Sequence, residues 1–429
     1  MPYVACRHIV TRVQCQIRTA SLVLAWIITL SGFADAAPKI SNMPIRGLQI
    51  GATSTVTIQG LELSADSIIV TSLPIESQKV LEATANSLQV ELTLAADVTP
   101  GIYNLRVMNK NGISDAIVVA ADKLPQIAFL PELESLNVAA HGTVSGSTIM
   151  KTTFTGKAGQ DFLAEVESFR LGGKLRPVLH LYDSHRRQIA LALPSPALHG
   201  DARLTAQLPA DGLYSLELHD LQYAAPAPNF FRLKIGEFQF ADAVFPPVVE
   251  RGKTAKLTFV GNVSATSDVE VTGNGLVQPA PWPAGSNATG LRPLVATSEL
   301  REVIEERAEQ QLQELPSVPV AVSGRIGNAG QEDVYRVTVA EGKKLRFELF
   351  ADRLGSPMDT VLEVRNDQGG RLAFNDDTTN TTDSMVEYTV AKGIVVVDIS
   401  IKDQLNRGGE DSVYRLLITE AETVSLSPR

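Results

Sequence analysis

An internal repeat constrains this chain more than any other feature of its sequence. Residues 159–190 and 342–373 align without a gap, 183 positions apart. The identical pairs are Gly159/Gly342, Glu165/Glu348, Arg170/Arg353, Leu171/Leu354, Gly172/Gly355, Val178/Val361, Leu179/Leu362 and Ala190/Ala373. Such self-similarity marks an array of repeated modules. A residue with a chemical role in one copy should therefore be sought at the matching position of the other.

A second, fainter repeat relates residues 51–60 to residues 252–261, with glycines at both ends of each segment. Its spacing of 201 positions differs from 183, so the modules between have unequal lengths. The order is therefore A–B–A′–B′. We assign residues 37–124 to module A, 125–236 to module B, 237–297 to module A′ and 298–420 to module B′, followed by a tail at 421–429.

Strand-like alternation of apolar and polar residues dominates the mature chain. It is clear in Ser54–Gln59, Ser87–Thr93 and Gly101–Val107, and short alternating runs separated by turns are typical of β-sandwiches of about 100 residues. Module A′ is shorter, and its proline-rich stretch Gln278–Gly285 cannot form a central strand. The sequence predicts an all-β tandem array of β-sandwich modules, with A′ truncated.

Residues 298–314 allow two interpretations. Leu300, Val303 and Ile304 lie at helical spacing among charged residues, and Ser298 could cap such a helix. Alternatively, the segment is an extended leader into module B′. The pattern does not separate the two.

The first 36 residues have the pattern of a secretory signal peptide. Three arginines precede the short apolar run Leu22–Leu30, and Ala34-Asp35-Ala36 follows it. We predict cleavage after Ala36; the alternative is an uncleaved N-terminal anchor. Cleavage would remove both cysteines of the chain and leave no membrane span. We therefore expect a protein that is exported to the periplasm, the extracellular space or the cell surface.

The net charge and the absence of known catalytic motifs argue against several classes of function. The formal net charge is −10 and no basic patch stands out, which argues against a nucleic-acid partner. The sequence has no Gly-x-Ser-x-Gly elbow, no His-Glu-x-x-His pair and no phosphate-binding loop. We expect a protein that is not an enzyme and requires no cofactor.

Several motif pieces of module B′ occur in a characteristic order: Val322–Ile326, Asp333–Tyr335, Gly342–Leu345, Leu354–Leu362, Leu372–Asp377 and Gly408–Leu416. In this order they resemble the bacterial pre-peptidase C-terminal (PPC) domain, which implies a jelly-roll-like sandwich. Module B resembles a degenerate copy. Modules A and A′ resemble immunoglobulin-like TIG-type domains, and the combination is similar to exported planctomycete proteins. The resemblance implies non-catalytic accessory modules, which bind calcium in some relatives.

Acidic residues of module B′ are candidate calcium ligands. Carboxylate and amide oxygens are the ligands that Ca²⁺ prefers, and it takes six to eight of them. The candidates are Asp333, Asp359, Asn375, Asp376, Asp377 and Asp383. In calcium-binding relatives the leader also contributes acidic residues, and Glu305 and Glu306 lie at the comparable place here. The competing interpretation is a set of solvated carboxylates in turns.

All five histidines after residue 36 lie in module B. His180, Asp183 and His185 are close enough in sequence to suggest a metal site, but the residues that match His180 and Tyr182 are Glu363 and Arg365. We therefore expect a solvated polar face instead. Trp282 is the only tryptophan after residue 36, so an aromatic platform for sugars would have to use tyrosines. The candidates are Tyr182, Tyr214 and Tyr223.

Three functional hypotheses follow. The first is an exported, non-catalytic, multi-domain protein that binds or scaffolds at the cell envelope or in the extracellular space, with a protein or polysaccharide partner and possible assistance from Ca²⁺. The second is an accessory region, for substrate binding or secretion, of a secreted peptidase or hydrolase system. The third is a structural spacer.

Overall fold

A computed structural model describes residues 36–195, 198–263, 269–273, 275–283, 286, 288, 292–306 and 312–421. These residues form strands joined by turns, with short 3₁₀ turns at Phe169–Leu171 and Asp352–Leu354. The all-β tandem array of sandwiches is therefore confirmed. The proposed signal peptide lies almost entirely outside the described residues. No helix in the described ranges is long and apolar enough to cross a membrane.

Module A consists of two facing sheets. The alternation in Ser87–Leu94 places Leu88, Val90 and Leu92 in the core between them. The first sheet has the order β1-β3-β6-β5 and the second β2-β9-β7-β4, with β8 paired to β7. The strands are β1 (Lys39–Asn42), β2 (Gly47–Gln49), β3 (Thr53–Leu61), β4 (Ile68–Thr71), β5 (Ile75–Ala83), β6 (Ser87–Leu94), β7 (Gly101–Asn109), β8 (Gly112–Ile113) and β9 (Ile117–Asp122).

Module B has sheets with the orders β10-β11-β18-β13-β16 and β12-β17-β14-β15. Phe154 lies between Phe162 and Tyr214 in its core, with ring centroids 4.7 and 5.7 Å away. The strands are β10 (Gln126–Ala128), β11 (Val138–Thr143), β12 (Met150–Gly156), β13 (Asp161–Glu167), β14 (Pro177–Tyr182), β15 (Gln188–Ala192), β16 (Ala202–Gln207), β17 (Gly212–Asp220) and β18 (Phe230–Gly236).

The described residues of module A′ form three strands in each sheet, in the orders β19-β21-β22 and β20-β24-β23. Its small core includes Phe259, against which Trp282 packs with the ring centroids 5.7 Å apart. The strands are β19 (Ala241–Phe245), β20 (Val248–Glu250), β21 (Thr254–Gly261), β22 (Val269–Thr272), β23 (Val277–Pro279) and β24 (Leu294–Ser298).

Module B′ has the sheet orders β25-β27-β34-β29-β32 and β26-β28-β33-β30-β31. The strands are β25 (Glu302–Ile304), β26 (Gln313–Glu314), β27 (Val320–Arg325), β28 (Asp333–Thr338), β29 (Lys344–Phe350), β30 (Thr360–Arg365), β31 (Arg371–Asn375), β32 (Met385–Thr389), β33 (Val396–Asp403) and β34 (Val413–Glu420).

The leader into module B′ is extended where the structure describes it. Strands β25 and β26 pair in parallel with β27 and β28, so the leader adds one strand to each sheet. The helical alternative for residues 298–314 is wrong for the described part, because these backbone groups pair with sheet edges instead of with each other. Residues 307–311 lie outside the described ranges.

Modules B and B′ keep the repeat register well beyond the segment that sequence comparison detects. Val178 pairs with His219 in module B, and Val361 pairs with Lys402 in module B′, both members of the second pair lying 183 positions later. The four strands of the sheet β12-β17-β14-β15 correspond in order to β28-β33-β30-β31 of module B′. Residues at matching positions can therefore be compared face by face.

A buried carboxylate in each copy holds the 3₁₀ turn that follows β13 in module B and β29 in module B′. Asp383 Oδ1 accepts hydrogen bonds from the backbone N–H groups of Ala351 and Asp352, and Oδ2 accepts from Arg353 Nε at 2.6 Å. Asp201 makes the same contacts in module B, including one from Arg170 Nε at 2.8 Å. These contacts give Asp383 a structural role that the two copies share.

A buried ionic network joins modules A, B and A′. Arg232, only 1% exposed, donates to Asp122 at the end of module A and to Glu167 of module B. Lys234 bridges Glu165 and Glu167 at 2.8 and 3.0 Å. The network then runs from Glu165 through Arg203 to Asp242 of module A′, with Arg170 as a further partner of Glu165. It covers the outer side of the sheet that contains β13 and β18.

The network makes the stability of the fold depend on pH in the acid range. Burial opposes ionisation of Glu167, but Lys234 and Arg232 outweigh burial and lower its pKa to about 2. A lowered pKa stabilises the fold above the usual value of 4.5, and this contribution of about 3 kcal/mol disappears as the pH falls from 4.5 towards 2.

We expect Glu167→Gln to lower the free energy of unfolding at pH 7 by about 3 kcal/mol, because it leaves Arg232 and Lys234 short of a buried counter-charge. It should also flatten the decline in stability between pH 4.5 and 2. Denaturant unfolding at several pH values measures both effects, with exposed Glu341→Gln as the control. An unchanged pH dependence would contradict the role given to Glu167.

Candidate functional site

The structure divides the six predicted calcium ligands among separate environments. Asp383 is committed to the turn described above. Asn375 Oδ1 accepts from the backbone N–H of Met385 at 3.1 Å. Asp333 accepts from Tyr414 Oη at 2.6 Å and from Gln331 Nε2 at 2.8 Å.

Asp333 does not join the others. It begins β28, whereas Asn375 ends β31, and β33 and β30 lie between these strands. At a strand spacing of about 4.8 Å the two residues are about 14 Å apart. Asp333 instead lies beside the buried pair Tyr335 and Tyr414, whose hydroxyls are 2.7 Å apart. Burial raises the pKa of Tyr414, and Tyr335, Asp333 and leader residue Glu305 raise it further.

Asp359, just before β30, donates its backbone N–H to Asp403 Oδ2 at 2.9 Å, and Asp376 and Asp377 are near enough for their charges to act on it. Burial raises the pKa of Asp359, and the charges of Asp377, Asp403 and Asp376 raise it further, against the opposing charge of Arg407. Within the described ranges no group of three or more histidine, cysteine, aspartate or glutamate side chains is arranged to hold a metal ion. Calcium binding stays a prediction.

The outer face of the sheet β12-β17-β14-β15 in module B has the most distinctive side chains. The side chains of strand β14 alternate between the two faces of the sheet, so Leu179 and Leu181 lie in the core and His180 and Tyr182 lie on the outer face. On the neighbouring strand β17 the same alternation places His219 outside. We call this surface the open face of module B, and it also carries Glu217, Leu191 and Leu213.

Four rings form a row on the open face. His180 Nε2 lies 3.1 Å from His219 Nε2, and the ring centroids are 5.2 Å apart. Tyr182 lies next to His180 at 5.9 Å, and Tyr223 lies against His219 at 4.4 Å, each pair within 8° of parallel. The guanidinium of Arg186 covers the Tyr182 ring at 4.2 Å. We call Tyr182, His180, His219 and Tyr223 the ring row.

Charge and exposure differ along the ring row. His219 is 6% exposed, whereas Tyr223 is 49% exposed and His180 and Tyr182 are half-buried. Arg186 Nη1 donates to Glu217 Oε1 at 2.6 Å, so the arginine at the Tyr182 end is fixed by an ion pair. The row thus offers ring surfaces, imidazole nitrogens and phenol oxygens at one solvent-facing surface.

Tyr223 has a strained backbone. Its φ is +55°, in the left-handed region that a tyrosine seldom adopts. Asp220 fixes this turn by accepting from the backbone N–H groups of Gln222 and Ala224. The matching residue in module B′ is Asn406, with φ +53°, a residue type that tolerates the conformation better. Module B therefore keeps a large aromatic residue at a position where the backbone disfavours it.

The matching face of module B′ is a lattice of ion pairs. Glu363, which replaces His180, pairs with Arg365 at 2.7 Å and with Arg371 at 2.6 Å. Arg365, which replaces Tyr182, also pairs with Glu332 at 2.8 Å. Lys402 replaces His219. The two copies therefore share a fold but present different chemistry at these positions.

The sequence prediction of a solvated face at His180 agrees with this placement, but it missed His219. The suggested group of His180, Asp183 and His185 does not converge, because Asp183 accepts from the backbone N–H groups of His185 and Arg187 and pairs with the Arg187 side chain. His219 lies 39 positions from His180. Only the strand register could have revealed the pair. Of the three candidate tyrosines, Tyr214 lies in the core, and its hydroxyl donates to Ala210 O at 2.7 Å.

Comparison with known proteins shows similarity in parts of the chain. The family model of the quinohemoprotein amine dehydrogenase alpha subunit domain III, a β-sandwich, matches residues 39–119 in module A. No curated protein matches the chain. The TIG-type assignment and the likeness to planctomycete proteins stay predictions.

Among solved structures, the pre-peptidase C-terminal domain of a Bacillus anthracis collagenase is 13% identical, with a TM-score of 0.21, covering 27% of this chain and all of that domain. SGBP-B of the Bacteroides ovatus mixed-linkage glucan utilization locus, in complex with a heptasaccharide, is 9% identical, with a TM-score of 0.17, covering 88% of this chain and 73% of that one. The secreted serine protease VesC of Vibrio cholerae is 8% identical, with a TM-score of 0.19, covering 50% and 53%.

The raised pKa of Asp359 leads to a test of calcium binding. The negative charge of Asp359 lowers the free energy of unfolding at pH values above 3.8, the usual pKa of an aspartate. At lower pH this loss of stability disappears, because the carboxyl is protonated in both the folded and the unfolded protein. We expect Asp359→Asn to raise the melting temperature at pH 7 by about 1–3 °C in EDTA, since solvent screens the effect, and to change nothing at pH 3.

If Ca²⁺ binds beside Asp359, millimolar Ca²⁺ should raise the melting temperature of the unaltered chain but not that of Asp359→Asn. Exposed Glu341→Gln is the control and should respond like the unaltered chain. Differential scanning calorimetry in EDTA and in Ca²⁺ measures the shifts. Equal responses of the unaltered chain and Asp359→Asn would remove these carboxylates as calcium ligands.

Proposed function

We propose that this chain is an exported, non-catalytic, multi-module binding protein of the cell envelope or extracellular space, and that it binds polysaccharide on the open face of module B. The observation that carries the proposal is the ring row, together with its replacement by ion pairs in module B′. A face whose charges pair with each other has little left to recognise a ligand. Among the described side chains, the ring row has no such lattice, and the ion pair beside it is that of Arg186 with Glu217 at the Tyr182 end.

The open face fits the chemistry of a sugar chain. Aromatic rings offer apolar surface that packs on the C–H faces of sugars, while their polar atoms remain available for hydroxyl groups. His180 and the half-exposed Tyr223 supply such rings, and so does Tyr182, one face of which is covered by Arg186. Leu191 and Leu213 extend the exposed apolar surface beside them. Contiguous apolar surface rimmed by polar groups is typical of binding sites.

Binding to insoluble polysaccharides tests this proposal. We expect the purified chain from residue 37 to sediment with at least one of cellulose, chitin, mixed-linkage glucan and peptidoglycan sacculi. Tyr182→Ala and Tyr223→Ala should each weaken retention about tenfold, because each removes stacking surface worth on the order of 1–2 kcal/mol. The assay is run in EDTA so that metal ions play no part.

Arg365→Ala is the matched control, since Arg365 occupies the position of Tyr182 in module B′. It should leave retention unchanged. Retention that survives both tyrosine substitutions would move binding away from the open face. Retention only on protein matrices such as gelatin would instead favour the accessory role in a secreted peptidase system, which the PPC-like motif order of module B′ also supports.

Export is tested separately. The arginine-rich start, the apolar run Leu22–Leu30 and Ala34-Asp35-Ala36 support cleavage after Ala36. We expect intact-mass measurement of the exported protein to show an N-terminus at Ala37. A mass that includes residues 1–36 would support the uncleaved anchor instead. Replacing Ala36 by a bulky residue should block processing and serves as the control.

A further inference from the structure

The hydrogen bonds of the histidine pair within the ring row indicate which ring nitrogens carry hydrogens. His219 Nδ1 lies 2.8 Å from the backbone carbonyl oxygen of Asp220. A carbonyl oxygen only accepts, so this nitrogen carries the hydrogen. In neutral His219 the lone pair is therefore on Nε2, the atom that faces His180.

His180 is oriented in the same way. Its Nδ1 lies 3.0 Å from Gln188 Oε1, an acceptor, so Nδ1 donates and Nε2 bears the lone pair. The two neutral rings then direct lone pairs at each other across 3.1 Å. That contact is repulsive unless a positive charge lies between the nitrogens. The opposite orientation of the Gln188 amide would let His180 donate to His219, and a substitution at Gln188 distinguishes the two arrangements.

We propose that His180 Nε2 and His219 Nε2 bind one divalent transition-metal ion, such as Cu²⁺ or Zn²⁺, on the open face of module B. Imidazole nitrogens bind these ions at about 2.0–2.1 Å, so a nitrogen separation of 3.1 Å corresponds to a nitrogen–metal–nitrogen angle of about 100°. This angle lies between the square-planar and tetrahedral values, and His180 is half-buried, so its ring has room to turn its lone pair towards an ion held by His219.

The neighbouring groups suit such a site. Hydrogen bonds from the distal nitrogens to Asp220 O and Gln188 Oε1 are the kind that orient metal-binding histidines and raise their basicity. Tyr223 Oη, 3.4 Å from His219 Nε2, is placed to become a third ligand. Because His180 and Tyr223 face solvent, water can fill the remaining positions. Module B′ has Glu363 and Lys402 at the two histidine positions and supplies no second site of this kind.

Titration of the full chain from residue 37 with Cu²⁺ or Zn²⁺ tests the proposal, by calorimetry and, for Cu²⁺, by electron paramagnetic resonance. We expect one site per chain and a Cu²⁺ spectrum with hyperfine coupling to two imidazole nitrogens. His180→Ala, at the more exposed position, should weaken binding at least tenfold and leave coupling to one nitrogen. Tyr223→Phe should weaken binding only a few-fold.

Two further variants make the test specific. Gln188→Glu can only accept, so it fixes the His180 hydrogen on Nδ1 and should strengthen binding severalfold. His185→Ala removes an exposed module B histidine whose Nδ1 lies 3.3 Å from Ser184 Oγ, and binding should not change.

Full affinity in His180→Ala, loss of affinity in His185→Ala, or weaker binding in Gln188→Glu would each overturn the proposal. The polysaccharide assay in EDTA is independent of this result, and Tyr182→Ala should leave metal binding intact. Failure of one proposal is therefore distinguishable from failure of the other.

Discussion

The structure depends on the buried ionic network that joins the first three modules. Arg232 reaches from module B to Asp122 of module A, and Arg203 reaches to Asp242 of module A′. Separating the modules would leave buried charges without their partners, which costs several kcal/mol for each unpaired ion. Neighbouring contacts support the junction, including Arg46 over the Phe230 ring at 3.9 Å. Because modules A and A′ meet module B at the sheet containing β13 and β18, the sheet containing β14 and β17 keeps its outer face open. The network therefore determines which face of module B can meet a ligand.

The two repeat copies separate what the fold requires from what has changed. Asp201 and Asp383 hold the same 3₁₀ turn, and Asp220 and Asp403 fix the same loop after β17 and β33. These carboxylates accept several backbone hydrogen bonds each, and a chain that lost them would leave buried N–H groups unsatisfied. The outward-facing side chains of β14 and β17, and of β30 and β33 in module B′, do not hold a turn in this way. Their residue types can therefore differ between the copies, and they form the ring row in module B and an ion-pair lattice in module B′. Function is a property of the face and not of the fold.

The sequence predicted the parts of the structure that depend on periodicity. Alternation and the 183-residue repeat were sufficient for the all-β array, because a period of two leaves few alternatives to sheets. Residue type alone could not divide the acidic candidates of module B′: whether Asp383 faces backbone N–H groups or a metal ion is decided by a turn more than 30 positions away. The pairing of His180 with His219 likewise requires the register of β14 against β17. The leader remained ambiguous because three apolar residues fit a helix and an edge strand equally well.

Two independent observations meet at the ring row. Tyr223 keeps a left-handed backbone conformation that costs on the order of 1 kcal/mol for a side chain of its kind, although the matching Asn406 shows that a more tolerant residue fits the same turn. His180 Nε2 and His219 Nε2, beside it, lie 3.1 Å apart. In module B′ the matching positions hold Asn406, Glu363 and Lys402, so neither feature recurs in the second copy. Backbone strain that is kept in one copy and relieved in the other is typical of sites where a protein gives up stability for function, which is the role we propose for the open face.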